Sequence, residues 1–478
     1  MKDFISDLIL QRLLHEPTDG QKEMISKLAA FVSTPESDSL FLIKGYAGTG
    51  KTSAISALVK VLDELKLKFV LLAPTGRAAK VLSKQSGKPA STIHKKIYRQ
   101  QSVADGSSKF SLDRNLSRDT IFIVDEASMI SNLPQDHSVF GTGYLLSDLI
   151  EYATGGFNCK IIVSGDTAQL PPVGLAASPA LEPEELKLFG LEVISTELRE
   201  VVRQSADSGI LANATAIRNR ILEESCSGFW SVRMNGFKDV IRIGGDQLIE
   251  EIGNCYNQLG MEETILITRS NKRANLFNEG IRKNILFQED QIMRGDLLMI
   301  VKNNYHWSKQ LEELDFIANG DIAEIIRIRK YEERYGFHFA NVVLRLIDYQ
   351  DLEIECKILL ETLTVEAPAL TLEENKRLFE AISEDYEEIR NKRERWKKIR
   401  EDPYFNALQV KYSYAVTCHK AQGGQWKAVF LDHGYLTEEM IDREFLRWFY
   451  TAFTRAEERL YLVNFHKKFF ENSAEAKG

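Results

Sequence analysis

Gly45-Tyr46-Ala47-Gly48-Thr49-Gly50-Lys51-Thr52 sets glycines, a lysine and a hydroxyl at the spacing of a phosphate-binding loop. An apolar run, Leu40–Lys44, precedes it, and a helix-length segment, Thr52–Leu65, follows. That context is the one such a loop needs, because backbone N–H groups at a helix start converge on phosphate oxygens. Lys51 is expected on the β- and γ-phosphates and the Thr52 hydroxyl on Mg²⁺. The candidate nucleotide contacts are Gly48, Thr49, Gly50, Lys51, Thr52 and Ser53, and the implied cofactors are ATP and Mg²⁺.

Ile121-Phe122-Ile123-Val124 is an apolar strand ending in Asp125 and Glu126. Asp125 is placed to hold the metal, and Glu126 to orient and deprotonate an attacking water. This strand is expected beside the one that carries the loop. A third strand ends in Gly165-Asp166-Thr167-Ala168-Gln169-Leu170-Pro171-Pro172-Val173-Gly174. Gln169 at its polar tip is a candidate γ-phosphate sensor; a Pro-rich turn is the plainer reading.

The elements that must position these groups are legible as alternating runs. Candidate strands are Leu40–Lys44, Phe69–Ala73, Ile121–Val124, Lys160–Ser164, Thr264–Thr268, Val429–Asp432 and Leu460–Val463, with helical segments between several of them. Continuous apolar strands alternating with helices indicate buried parallel sheets. Four strands precede residue 165 and three follow residue 263, so two α/β cores are expected. Two stretches interrupt them. Lys95–Arg118 is polar around Ala104-Asp105-Gly106-Ser107-Ser108 and reads as a hairpin. From Met293 to about Gln409, short β-like pieces (Asp296–Lys302, Ile322–Ile328, Asn341–Ile347) precede the charged helical stretch Thr371–Arg400. This reads as a small β-barrel carrying a helical arm.

Composition bounds the rest. At 478 residues the chain exceeds one core. A net charge of −8 weighs against coating nucleic acid by bulk charge, yet leaves room for a narrow basic groove. Met1–Leu14 reads as an amphipathic helix, and no apolar run is long enough for a membrane span. Cys159, Cys226, Cys255, Cys356 and Cys418 are scattered, without zinc-ligand or redox spacing. Reduced thiols and a cytoplasmic location are expected.

In this order the motifs resemble those of superfamily-one helicases of the RecD and phage Dda type. Leu198–Gln204 resembles the family segment that carries an arginine, here Arg203. Tyr414-Ala415-Val416-Thr417-Cys418-His419-Lys420-Ala421-Gln422-Gly423 resembles its fifth motif. Tyr450-Thr451-Ala452-Phe453-Thr454-Arg455-Ala456 resembles its sixth, with Arg455 as the arginine. Ala73-Pro74-Thr75-Gly76-Arg77-Ala78-Ala79 and Ser91-Thr92-Ile93-His94 resemble its two strand-contacting motifs. The resemblance implies two RecA-like P-loop cores around ATP: 1A at 21–91 and 118–200, and 2A at 201–292 and 410–478, after an N-terminal helix at 1–20. It also implies a pin insert, 1B, at 92–117, and an SH3-like barrel insert, 2B, at 293–409. The charged arm departs from the family's β-rich tower, which leaves arm-to-pin contact open.

The resemblance further assigns Lys51, Glu126, Gln169, Arg203 and Arg455 to catalysis, Gln21 to the adenine and Gly423 to the nucleotide. Pro74, Thr75, Thr92, His94, Thr417 and His419 are its strand contacts. Tyr98 and Phe110 on the hairpin, and Tyr305 and Trp307 in the barrel, are aromatic candidates for base stacking, with core packing the commoner fate of such rings. The expected activity is ATP-driven, 5′-to-3′ movement on single-stranded DNA by a monomeric motor acting on tailed duplexes, in a setting of DNA repair or recombination. The rivals are a RecD-like subunit of a recombination nuclease and an ATPase clamp that does not unwind.

Overall fold

The computed structural model describes residues 1–13, 15–34, 39–102, 108–134, 140–201, 208–223, 227–310, 316–347, 349 and 352–470. Arg203, Cys226 and the centre of the hairpin turn lie outside them.

Six parallel strands form the first sheet, in the order Ala90–Thr92, Lys68–Ala73, Thr120–Val124, Lys160–Gly165, Ser39–Gly45 and Glu192–Leu198. The strand ending in Asp125 therefore does not neighbour the loop strand, contrary to expectation. Lys160–Gly165 lies between them, and all six of its residues are buried, as a central strand requires. That insertion puts Asp166 and Gln169 between Lys51 and Asp125 at the carboxyl end of the sheet.

The second sheet has five parallel strands, in the order Ala415–Thr417, Thr264–Thr268, Trp426–Asp432, Ala456–Val463 and Val240–Ile243. Between Thr264–Thr268 and Ala415–Thr417 the chain makes a closed five-stranded barrel of Leu297–Ile300, Ile322–Arg334, Phe337–Leu346, Leu352–Leu359 and Leu408–Tyr412. The arm is not one continuous helix. It divides into Leu372–Glu384, started by a Thr371/Glu374 capping box, and Lys392–Glu401, capped by Asn391. The two lean on the barrel through Phe337, Phe339, Leu378, Ile382 and Ile399.

The 92–117 segment contains the expected hairpin, Tyr98–Ser102 paired with Ser108–Leu112. It is not independent of the core, however. Tyr98 and Phe110 are buried in the apolar cluster of the first domain. No helix of the described residues is long and apolar enough to cross a membrane.

Candidate functional site

The carboxyl ends of the first sheet open onto a cleft of about 780 Å³ whose other wall belongs to the second core. Gly48, Gly50, Lys51, Thr52 and Ser53 line it beside Asp125, Glu126, Asp166 and Gln169, and Arg455 faces them from the second core. Gly48 and Gly50 hold φ of +75° and +80°, where a side chain is strained. Lys51 Nζ donates to the Tyr46 carbonyl at 3.0 Å. Glu126 sits in the left-handed region at φ 54°, ψ 37°, an uncommon conformation for a non-glycine residue. Asp125 is buried, and that burial, with Glu126 adjacent, raises its pKa to about 6.

Arg455 is 4% exposed. Its guanidinium donates to the carbonyls of Thr451 and Gly424 and to the Thr454 hydroxyl, at 3.1–3.3 Å. Among the described residues no carboxylate pairs with it, so a nearly buried cation faces the cleft held only by neutral acceptors. An anionic ligand is what such a group lacks.

Three nucleotide candidates, Gln21, Thr49 and Gly423, do not line the cleft. Gln21 is fully buried; its Nε2 donates to the Thr49 carbonyl at 2.9 Å and its Oε1 accepts from the Thr18 N–H. It braces the loop from behind. Thr49 is likewise buried, its hydroxyl donating to Tyr46 O. Gly423 is not in the cleft wall: a Cβ there would stand 2.8 Å from Ala78 Cβ and 3.3 Å from Thr75 Oγ1, so it permits close approach of the two cores.

The segment Asp166–Leu170 is clasped by the second core. Tyr450 Oη donates to Asp166 Oδ2 at 2.7 Å and accepts from the Ala47 N–H at 2.8 Å. Thr451 Oγ1 accepts from the Leu170 N–H, and Gln422 Nε2 donates to the Leu170 carbonyl. Gln169 projects between these fixed points. None of Tyr450, Thr451 and Gln422 was singled out from sequence; the signal was present only as polar residues inside the sixth and fifth motifs.

The strand-contact candidates gather at strand ends. Thr75 and Thr92 cap helices, accepting from the Ala78 and Lys95 N–H groups, and Ala73 pairs in register with Thr92. Pro74 is half-buried beside them. Thr417 ends Ala415–Thr417, pairs with Thr268, and makes no capping bond, and His419 next to it is exposed. Sequence reading passed over Lys420. Its Nζ is buried without a hydrogen-bond partner, and burial, with Lys411 nearby, lowers its pKa to about 8. Lys411, also lowered to about 8 by burial, reaches this region from the barrel.

The aromatic candidates are mostly structural. Tyr98 Oη donates to Asp148 at 2.6 Å, and Trp307 Nε1 donates to the Asn406 carbonyl at 2.8 Å. Phe110 lies 5.0 Å from Phe140 and 4.3 Å from Tyr305, which lies 5.2 Å from Phe316. Among the described residues the hairpin is thus fastened to the barrel segment by rings. His94 stands edge-on to Phe140 at 4.9 Å, and burial lowers its pKa to about 4, so it is a neutral group at pH 7. A buried ring cannot stack on a base, so Tyr98 and Phe110 are not base contacts in this conformation.

Two parallel-sheet cores, one bearing a phosphate loop and the other an arginine across the cleft, define a P-loop nucleotide hydrolase with a split site. Residues 16–225 match the AAA domain family and residues 412–463 match the UvrD-like helicase C-terminal domain. The chain is 25% identical over 446 residues to the ATP-dependent RecD2 DNA helicase of Deinococcus radiodurans, covering 93% of this chain and 50% of that protein. It is 26% identical to the ATP-dependent DNA helicase dda of Enterobacteria phage T4, covering 65% of this chain and 67% of the relative. An uncharacterised protein of Acanthamoeba polyphaga mimivirus is 26% identical across 92% of this chain and 98% of its own length. A solved Pif1 helicase from Bacteroides in complex with ADP-AlF3 and ssDNA is 14% identical, at a TM-score of 0.46 over 95% of each chain, a likeness too weak to add weight. The chain is a superfamily-one helicase of the RecD type, and its enzymatic activity is ATP hydrolysis.

Proposed function

We propose that the protein is a motor that moves along single-stranded DNA, 5′ to 3′, and opens tailed duplexes at the 92–117 hairpin. The observation that carries this reading is the clasp on Asp166–Leu170. Gln169 faces the nucleotide cleft, while the residues flanking it are bonded to Gln422, Tyr450 and Thr451. A change at the γ-phosphate therefore moves the second core relative to the first, and both cores carry strand-contact hydroxyls. The polarity comes from the family resemblance, and DNA as substrate from the names of the relatives.

The residues present fit ATP with Mg²⁺. Lys51 and Arg455 supply cations without carboxylate partners, and Asp125 and Thr52 supply hard oxygen donors on one side of the cleft. Asp125 and Thr52 would hold the ion, with phosphate and water oxygens as its remaining donors. The ion would neutralise phosphate charge. Glu126 then orients and accepts a proton from water, while Lys51 and Arg455 stabilise charge on the transferring phosphoryl group.

On the strand side, Thr75, Thr92, Thr417 and His419 supply sequence-independent contacts, and Lys420 and Lys411 supply charge to a phosphate. Displacement assays on 5′-tailed, 3′-tailed and RNA-tailed duplexes test the reading. Unwinding of the 5′-tailed DNA alone is expected. ATP turnover without displacement of any substrate points to a clamp or a subunit instead.

A further inference from the structure

The second arm helix, Lys392–Glu401, carries six Lys or Arg against two Glu in ten residues, on a chain whose net charge is −8. Ile399 is buried and turns one side of the helix to the barrel. Arg393, Trp396, Lys397 and Arg400 stand at i, i+3, i+4 and i+7, which places them on one stripe of the outward surface. Lys392, Arg393, Lys397 and Lys398 are exposed, and none has an ion-pair partner among the described residues. By contrast, Arg395 on the inner side reaches the Ser383 carbonyl and Glu387.

Trp396 is 43% exposed, but its ring is occupied. Phe379 lies 5.0 Å away at 31°, and the Arg400 guanidinium stands 5.1 Å above the ring centroid. The ring is therefore packed and offers little to a base. What remains exposed on the stripe is Arg393 and Lys397, one helical turn apart, placed for a phosphate backbone and blind to sequence.

The barrel touches the first core near Ile347, whose carbonyl accepts from Lys80 Nζ at 3.1 Å, and meets the hairpin where Tyr305 lies 4.3 Å from Phe110. Just past the second arm helix, Asn406 donates to the Arg400 carbonyl, and its own carbonyl accepts from Trp307 Nε1, two residues beyond Tyr305. The carboxyl end of the arm is thus joined to the barrel segment that meets the hairpin. Nucleic acid ahead of the hairpin is still paired, and duplex carries the denser charge, one per about 1.7 Å of axis.

We infer that Arg393 and Lys397 form a second nucleic-acid contact that holds the phosphate backbone of duplex DNA outside the motor groove. This rests on the protein acting on DNA, and the test separates the two claims. Full-length protein is titrated against a labelled blunt duplex and against labelled oligo-dT across a salt series, with oligo-dT-stimulated ATPase measured in parallel. Arg393→Gln/Lys397→Gln removes two exposed charges without touching a packed side chain. The log–log salt slope on duplex is expected to fall by about 1.8, from about 0.9 per lost phosphate contact. Duplex affinity should drop at least several-fold, with oligo-dT affinity and stimulated ATPase within twofold of wild type. Arg393→Glu/Lys397→Glu should deepen the loss. Unchanged duplex affinity and slope overturn the inference, as does wild-type protein that does not bind the duplex. An equal loss on oligo-dT overturns it too, because the stripe would then belong to the single-strand path. Wild-type ATPase indifferent to oligo-dT would instead count against the proposed function.

Discussion

Tyr450 of the second core donates its hydroxyl to Asp166 of the first at 2.7 Å, and the same oxygen accepts the Ala47 N–H of the phosphate loop. Asp166 is nearly inaccessible, and burial raises its pKa, so the bond holds a carboxyl that has little solvent to fall back on. One hydroxyl thus ties the loop, the sensor strand and the second core together. Tyr450→Phe deletes only that oxygen. Strand-stimulated kcat is expected to fall about tenfold, the equivalent of roughly 1.4 kcal/mol in the coupled state, with little change in oligonucleotide affinity. Steady-state ATPase with and without oligo-dT measures it; an undiminished ratio of stimulated to basal rate shows that the bond carries no coupling.

Arg455 has neutral acceptors only, and its contribution should appear when charge develops on the phosphoryl group. Arg455→Ala is expected to lower kcat by about 10³ while nucleotide affinity changes far less. ATPase kinetics beside a nucleotide titration separate these quantities. A kcat close to wild type would reduce Arg455 to a structural role.

Lys420 presents a buried ammonium with no acceptor, next to Thr417 and His419. With a phosphate as its missing partner, Lys420→Ala should weaken oligo-dT binding and lower the salt slope by about 0.7, the single-strand value for one contact. Its pKa of about 8 adds a pH signature. The cation is present below pH 8 and is lost above it, so wild-type affinity should decline as pH rises through that value, and the variant should not follow. Equal salt slopes in the two proteins dispose of the contact.

His94 makes the opposite pH statement. Its pKa is lowered to about 4 by burial, whereas the unfolded side chain titrates near 6.5. Between those values the unfolded chain binds a proton that the folded chain does not. The contribution of His94 to stability is therefore complete above pH 6.5 and is lost as pH falls towards 4. His94→Gln should flatten that part of the stability-versus-pH curve in urea unfolding. A variant that loses stability in parallel with wild type over this range shows that other groups set the acid limb.

The phosphate loop and its partners were legible because their chemistry is local: glycine conformations, a lysine and a hydroxyl within eight residues, and carboxylates ending an apolar strand. The strands at or near sheet edges were not. Ala90–Thr92 and Ala415–Thr417 are three residues long, and Glu192–Leu198 alternates at an edge, so none presents a continuous apolar run. Strand order was equally hidden, since nothing near Asp125 signals that Lys160–Gly165 inserts beside it. The clasp on Asp166–Leu170 was invisible for another reason. It joins residues more than 250 positions apart, and a tyrosine in a helix reads as core until its hydroxyl finds a partner. For the hairpin aromatics the commoner fate of such rings holds: Phe140 packs on both Tyr98 and Phe110, and Tyr305 packs on Phe110, although the segment around them is polar.

That packing makes the hairpin testable in a way that differs from deleting it. As a pin, the hairpin must bear load while one strand is pulled past it, so it must be rigid relative to the cores. Its rigidity comes from both sides: Tyr98 bonded to Asp148 in the first domain, and Phe110 set 4.3 Å from Tyr305 of the barrel segment. Neither ring lies in the nucleotide cleft. Tyr305→Ala removes the barrel's half of the contact while leaving the first domain's own cluster, Tyr98, Phe110 and Phe140, in place. Single-strand-stimulated ATPase should stay within about twofold, because the clasp and Arg455 are untouched. Strand displacement on a 5′-tailed duplex should fall by about tenfold or more, because a base pair at the fork then deflects the hairpin instead of opening. Tyr98→Phe, which loosens the other anchor, should act in the same direction but less, as one hydrogen bond is worth about 1 kcal/mol. Thermal melts of both variants separate this from loss of fold. If the Tyr305→Ala protein melts normally and unwinds at the wild-type rate, the hairpin does not split the duplex through its barrel contact, and strand separation must be sought elsewhere on the leading surface.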